Sequence, residues 1–203
     1  AETQAAKAGD EVSVVLDRTP FYAEMGGQTG DSGTIACDGA ILRVTDTKGK
    51  GGLTAHIATV ESGELHAGDV VRAAVDHGRR ELIRRNHTAT HLLDAALKQV
   101  LGDHVSQASG AVALFGEKYG DVVRVVSTGE SDAPFSRELC GGTHARNTAD
   151  LGLFKIVSES SVGSNARRIE AVTSMGAIEY LDERLELLQN VASELKCRPE
   201  DAA

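Results

Sequence analysis

Short runs of alternating apolar and polar residues fill the first 76 positions, a pattern typical of half-buried β-strands. Glycine-rich turn signals separate these runs, and helix signals are few. The strands predicted by this pattern are 12–16, 41–45, 53–60 and 70–75. Because short strands joined by glycine turns are typical of small barrels and sandwiches, we expect residues 1–76 to form a small N-terminal β-barrel subdomain.

The apolar spacing becomes helical at Asp76, the predicted N-cap, and stays helical to Leu101, just before Gly102. After Gly110 short apolar runs return. They predict further strands at 111–115, 122–127, 135–139, 153–159 and 167–173. This arrangement indicates an α+β fold, with an α/β core over residues 77–175.

The last apolar run, 176–197, predicts a helix whose apolar residues alternate at spacings of three and four. These residues are Ile178, Leu181, Leu185, Leu188, Ala192 and Leu195. Three heptads fit a coiled coil and a helix packed on its own domain about equally well. We expect residues 176–203 to carry a C-terminal helix leading to a further region, and either could support a dimer.

The 203-residue chain has 30 acidic and 21 basic residues, and its net charge of −9 is unusual for a nucleic-acid-binding protein. A nucleic-acid partner would have to be contacted over a short stretch, with affinity supplied from elsewhere. The local basic clusters are Arg79, Arg80, Arg84 and Arg85, and then Arg167 and Arg168. A solvated helix face and a strand rim are the slightly favoured explanations of these clusters.

No apolar run reaches about 18 residues, so no membrane span is predicted. The three cysteines, Cys37, Cys140 and Cys197, lie far apart, which argues against a disulfide framework and for a reducing compartment, the cytoplasm. Because the sequence begins with Ala1 just before a strand pattern, we expect it to be a piece of a longer protein.

Two pairs of potential metal ligands lie four residues apart, His87 with His91 and Cys140 with His144. The first pair lies in the helical pattern, where such side chains share one face. The second spans a Gly-Gly pair, where the backbone can bend. Each pair alone is a weak signal, since histidine pairs arise by chance and a single cysteine is usually a small buried apolar residue. Three imidazoles and one thiolate together predict a zinc site.

The motifs around these ligands, NHTATHLL at 86–93 and ELCGGTH at 138–144, resemble the editing domain of alanyl-tRNA synthetase. Further similar segments are PFYAEMGGQ at 20–28, GLFKI at 152–156 and RRIEA at 167–171. The resemblance covers almost the whole chain and extends to free-standing alanyl-tRNA editing proteins. In the family, the ATP-binding aminoacylation half lies upstream of this segment.

The resemblance implies hydrolysis of mischarged tRNA for alanine, carrying serine or glycine, with zinc held by the four ligands and the rest of the synthetase as a partner. Zinc would either activate a water or position the substrate. Four protein ligands usually mean a closed structural site, so zinc would have to accept a fifth ligand, hold one ligand weakly, or only organise the pocket.

The resemblance also suggests roles for other residues. Gln107 is expected to contact substrate or water, unless it is a surface glutamine. Thr90 could offer its hydroxyl to a serine side chain, or bond its own i−4 carbonyl. The expected tRNA contacts are Gly26, Gly27, Gln28, Arg167 and Arg168; the glycines fit a tight hairpin turn equally well, and only one arginine of the adjacent pair can face a site.

One departure from the family lies at Gln107, which runs directly into Ala108 where family members have a further stretch. Either the stretch is deleted, or two segments are joined across it, and we favour the join. Two other functions remain open: a threonyl-type editing domain, from which the CGGTH form points away, and a non-catalytic tRNA-binding module with a structural zinc.

Overall fold

A five-stranded antiparallel sheet dominates the N-terminal part of the structure, a computed structural model that describes residues 3–102, 124–164 and 166–202. Its strands are β2 (Glu11–Val15), β3 (Gly33–Cys37), β4 (Ala40–Lys50), β5 (Leu53–Ser62) and β7 (Arg72–Val75), in the order β2-β5-β4-β3-β7. A separate ribbon pairs β1 (Ala5–Lys7) with β6 (Glu64–His66). The described strands form an open sheet, since β2 and β7 are its two edges, and the predicted closed barrel is not confirmed.

One face of this sheet forms the main core. The side chains of Ile35, Leu42, Val44 and Val60 are at most 1% exposed and pack in one cluster. Along β4 the buried and exposed positions alternate, as the pleat requires of a strand with one covered face. All four predicted strands of this region are confirmed, whereas β1, β3 and β6 were not predicted. β3 begins at Gly33, and glycine residues in this region predict turns rather than strands.

The predicted long helix is confirmed as α1 (His77–Leu101). The Asp76 carboxylate caps its start by accepting the Arg79 backbone N–H at 3.0 Å, and the Gly102 N–H donates to Lys98 O at its end. A hairpin of β8 (Val125–Gly129) and β9 (Pro134–Leu139) follows, and β9 contacts α1. The prediction at 111–115 and the first residues of that at 122–127 lie outside the described residues.

The chain divides into two compact units, residues 1–144 and 145–203. The second contains an antiparallel hairpin of β10 (Phe154–Ser161) and β11 (Arg167–Thr173), followed by α2 (Ser174–Leu195). These elements confirm the last two predicted strands and the C-terminal helix. The predicted domain division at residues 76 and 175 stays a prediction.

Along α2 the apolar seam is unevenly covered, because Ala192 is 2% exposed whereas Leu185 and Leu195 are 56% and 62% exposed. A coiled coil and a helix packed on its own domain both stay predictions. Among the described residues, no helix has the length and apolar character needed to cross a membrane.

Candidate metal centre

The helix α1 presents His87 and His91 side by side. Their positions differ by four residues, slightly more than one helical turn, and their ring centroids are 5.0 Å apart with the planes inclined by 27°. Both rings are half-buried on the face of α1 next to the loop that follows β9.

That loop supplies Cys140 and His144. The Cys140 N–H donates to Arg124 O at 3.2 Å, and the Arg124 guanidinium donates to Gly142 O at 2.5 Å, so one arginine holds both sides of the bend. Within the bend the Gly142 N–H points at the Cys140 Sγ, 3.4 Å away. These contacts turn the chain so that the thiol and the His144 ring face the same point.

The four predicted ligands converge in space. Their donor atoms all lie within 4.8 Å of one another, and Cys140 Sγ is 3.3 Å from the Nε2 atoms of both His87 and His144. A tetrahedral zinc with Zn–N of about 2.0–2.1 Å and Zn–S of about 2.3 Å separates its donor atoms by roughly 3.3–3.6 Å. The two Sγ–Nε2 distances match this geometry, and the remaining donor pairs, all within 4.8 Å, would have to close up around the ion.

Each imidazole uses its other nitrogen to contact a nearby acceptor. His87 Nδ1 lies 2.6 Å from Gln28 Oε1, His144 Nδ1 lies 3.1 Å from Thr88 Oγ1, and His91 Nδ1 bonds the Glu138 carboxylate. An Nδ1–H that donates to an oxygen leaves a lone pair on Nε2 for a metal. The arrangement is therefore the one expected of histidine ligands. The Gln28 and Glu138 oxygens favour a proton on Nδ1 of His87 and His91, whereas the Thr88 hydroxyl can donate to or accept from His144.

The same contacts separate charge within the cluster. Burial opposes ionisation of the Cys140 thiol, but hydrogen bonds from His144, His87, His91 and the Gly142 N–H outweigh it and lower the thiol pKa to about 3. Hydrogen bonds to Cys140 and Glu138 raise the pKa of His91 to about 9 against the opposing effect of burial. Burial likewise opposes ionisation of Glu138, yet His91 holds the pKa of that carboxyl below its usual value.

Three acceptors around the ligands had no predicted role in the metal site. Thr88 and Glu138 lie inside the two motifs, at one residue from His87 and two from Cys140, so ligand spacing could have suggested them. Gln28 lies 59 positions before His87, and only the fold brings them together. It is 5% exposed, and its predicted contact with tRNA stays a prediction.

The other predicted site residues have the following positions. The Thr90 hydroxyl donates to Asn86 O at 2.9 Å, the i−4 bond considered above, and its contact with substrate stays a prediction.

Gly26 and Gly27 form a tight turn in the first unit, while Arg167 and Arg168 lie on β11 of the second. Arg167 bonds Glu159 across the hairpin. Gln107 lies outside the described residues.

Two family profiles match the chain. Residues 1–79 match the profile described as tRNA synthetases class II (A), and residues 123–170 match the second additional domain of threonyl and alanyl tRNA synthetases. The chain therefore resembles class II aminoacyl-tRNA synthetases that carry this additional domain.

Within that class the similarity is to alanine–tRNA ligases. The enzyme of Thermoanaerobacter sp. (strain X514) is 41% identical over 249 residues, covering 97% of this chain and 28% of the relative. Those of Halorhodospira halophila and Rhizobium meliloti are 42% and 40% identical, covering 98% and 99% of this chain and 29% of each relative. The resemblance to alanyl-tRNA synthetase, in the segment with the additional domain, is confirmed.

The chain thus spans less than a third of the length of these relatives. In the first match, 97% of 203 residues is about 197, whereas the match extends over 249 residues. The relative therefore has about 52 positions without a counterpart here. This difference agrees with the expectation that family members contain an additional stretch.

Proposed function

We propose that the chain is the zinc-dependent editing part of an alanyl-tRNA synthetase and hydrolyses the ester bond of mischarged tRNA for alanine carrying serine or glycine. The observation that supports this most directly is the convergence of His87, His91, Cys140 and His144, with their donor atoms within 4.8 Å. The matched additional domain and the similarity to alanine–tRNA ligases support the same activity.

The proposed ligands suit zinc because a thiolate and three neutral imidazoles are borderline-soft donors. When bound there, zinc would polarise the ester carbonyl or lower the pKa of a water to about 7. The residues of this chain would hold the ion: the thiolate of Cys140 is already favoured, and the second nitrogens of the three rings contact Gln28, Glu138 and Thr88.

The reaction consumes one water. Its oxygen bonds to the ester carbonyl carbon, and the bond from that carbon to the ribose oxygen breaks. One proton of the water goes to the ribose oxygen, and the other is released as the amino acid leaves as a carboxylate. Gln107 is proposed to contact the substrate or this water. The Thr90 hydroxyl, which donates its proton to Asn86 O, is proposed to accept a hydrogen bond from the serine side chain.

Binding of tRNA is proposed to involve the turn at Gly26 and Gly27 and one of the β11 arginines, with most of the affinity supplied by the remainder of the synthetase. The net charge of −9 agrees with a limited nucleic-acid footprint. A cytoplasmic location and a dimer formed through α2 or a further region belong to the same proposal.

A second candidate is a non-catalytic tRNA-binding module with a structural zinc. It is favoured by one observation, that four protein ligands surround one point and so would close a tetrahedral site. This candidate predicts a metal-dependent fold without ester hydrolysis.

The test compares hydrolysis of seryl-tRNA and alanyl-tRNA for alanine by this chain, with and without a zinc chelator. We expect selective loss of the seryl ester, abolished by the chelator and restored by added zinc. Cys140→Ser and His87→Ala should abolish hydrolysis. The matched control is Cys37→Ser, at a cysteine that lies on β3 and packs against the core of the sheet.

The outcomes separate the candidates. A folded, zinc-loaded chain without hydrolysis supports the structural module and contradicts the editing proposal. Full activity of the folded, metal-free chain contradicts the zinc mechanism. Circular dichroism of each sample establishes that loss of activity does not reflect loss of the fold.

A further inference from the structure

The turn between Met25 and Gln28 connects the sheet region to the metal centre. Two backbone bonds close it, Gln28 N–H to Met25 O at 3.0 Å and Met25 N–H to Gln28 O at 3.3 Å. Gly26 and Gly27 have φ values of 61° and 78°, so the turn is of the primed type that glycine favours. The glycines lie at its tip, and the Gln28 side chain points inward.

The Gln28 amide makes three hydrogen bonds. Its Oε1 accepts from His87 Nδ1–H at 2.6 Å and from the Thr143 backbone N–H at 2.8 Å, while its Nε2 donates to Thr143 Oγ1 at 2.8 Å. The orientation of the amide follows from this pattern, because the backbone N–H can only donate and must face the oxygen. A single buried side chain therefore bonds one ligand residue and the loop between the other two.

We propose that Gln28 is a positioning residue of the metal centre, an inference that rests on the metal centre of the proposed function. Through His87 Nδ1 it holds the Nε2 of that ring toward the metal point. Through Thr143 it holds the bend that carries Cys140 and His144. The turn thus assembles two separate parts of the ligand set at once.

The turn can do this because its far end is anchored to α1. The Asp31 carboxylate accepts the Tyr22 N–H at 2.6 Å and the Arg80 Nε–H at 3.1 Å, and Arg79 donates to Gly30 O at 2.7 Å. These bonds attach the segment carrying Gln28 to the first turn of the helix that also carries His87. The distance from Gln28 to His87 is therefore set within one connected framework.

Three substitutions test the role. Gln28→Leu removes every hydrogen bond at similar volume, and Gln28→Asn keeps the amide but shortens its reach by one methylene. Gln28→Glu keeps an acceptor for His87 and Thr143 and lets the Thr143 hydroxyl reverse its bond. The matched control is Gln99→Leu, at an exposed position of α1.

The readouts are zinc affinity, from competition with a chromophoric chelator, and the visible spectrum of the cobalt-substituted chain, which reports ligand geometry. Loss of a partner that orients a ligand typically costs about 10–100-fold in metal affinity. We expect that loss in Gln28→Leu and Gln28→Asn, with altered cobalt bands. Gln28→Glu should lose less affinity than either of these variants, because it keeps the acceptor for His87, and Gln99→Leu should match the parent. Nitrogen NMR should show the hydrogen-bonded His87 Nδ1–H in the parent and in Gln28→Glu, but not in Gln28→Leu or Gln28→Asn.

Folded Gln28→Leu and Gln28→Asn variants that bind zinc as tightly as the parent, with unchanged cobalt spectra, overturn the inference. If Gln28→Leu does not fold, Gln28→Asn and Gln28→Glu decide by the same measures. If the parent binds zinc and hydrolyses the seryl ester, and the Gln28 variants bind zinc equally well, this inference is overturned but the proposed function is not. A parent that binds no zinc contradicts the proposed function and the inference together.

Discussion

Gly142 lies directly against the His87 ring. A Cβ atom built on Gly142 would be 2.1 Å from His87 Cε1, 2.6 Å from its Nδ1 and 2.8 Å from Gln28 Oε1. The space at position 142 therefore accommodates only glycine, because any other side chain would meet the His87 ring. The close approach of the bend to α1 depends on this glycine.

Replacing Gly142 with alanine should consequently displace the ring or the bend. Overpacking of this kind costs about 1–3 kcal/mol, which corresponds to a loss of roughly 5- to 160-fold in zinc affinity if the strain is relieved by moving a ligand. The neighbouring Gly141→Ala is the matched control, since its Cβ would meet only the Met25 methyl, at 3.8 Å. Equal zinc affinities for the two variants, measured by chelator competition, would contradict the predicted steric role.

The ion pair of Asp31 and Arg80 should contribute strongly to stability. The Asp31 side chain is 1% exposed and that of Arg80 12%, so removing one charge leaves the other buried without its partner. We expect Asp31→Asn to lower the free energy of unfolding by about 3–5 kcal/mol.

Urea denaturation checks this value. The control is Glu61→Gln, which removes the charge that pairs with Arg43. The Glu61 side chain is 45% exposed and that of Arg43 60%, so the free energy of unfolding should change by less than about 1 kcal/mol. Similar losses in both variants would show that burial of the Asp31 pair has no special energetic consequence.

Much of the fold could be predicted because local patterns determined it. The alternation in β4 and β5 and the cap of α1 by Asp76 depend on neighbours within a few residues. The strand at Gly33–Cys37 was missed because its glycine signals a turn, although here it allows close contact with β7: a Cβ on Gly33 would be 2.1 Å from Ala74 O. Strand order and closure depend on long-range pairing, which is why the open sheet was not foreseen.

The ligand set was predictable for a related reason. The spacing of four residues within each pair indicated that His87 and His91, and Cys140 and His144, could bind one metal. The contact of Gln28 with His87 spans 59 positions, so no local pattern predicts it. The arginines ahead of the histidines were interpreted as a solvated face. Arg79 and Arg80 instead bond Gly30 O and Asp31, which are partners brought near by the fold.

In the metal-free chain, Cys140 should remain a thiolate at mildly acidic pH. Its pKa of about 3 means that the reactive form persists as pH falls from 8 to 5, whereas an ordinary thiol loses about tenfold in reactivity per unit below its pKa. We expect the Cys140-specific rate of iodoacetamide modification in the chelated protein to be nearly flat over that range and to be suppressed by zinc.

Peptide mapping separates modification of Cys140 from modification of Cys37 and Cys197. The Cys140→Ser variant gives the background rate from the other two cysteines. A steep, ordinary pH dependence of the Cys140-specific rate would show that the imidazole contacts do not stabilise the thiolate.

Zinc binding at pH 7 should release about one proton from His91. The folded-state pKa of about 9 lies above the ordinary 6.5, so the metal-free ring is protonated at pH 7 and must lose its proton to bind through Nε2. Cys140, with a pKa of about 3, is already ionised and contributes none. As pH rises above about 9, the metal-free His91 ring loses its proton, so zinc binding should no longer release one from it.

Calorimetry in buffers of different ionisation enthalpy measures this number directly. Glu138→Gln removes the carboxylate that helps to raise the His91 pKa, so this variant should release fewer protons at pH 7 than the parent. His91→Ala should remove the His91 contribution and weaken binding. If the parent and Glu138→Gln release the same number of protons at every pH, Glu138 does not help to hold His91 protonated. If the parent releases no proton at pH 7, the charge separation inferred for the cluster is wrong.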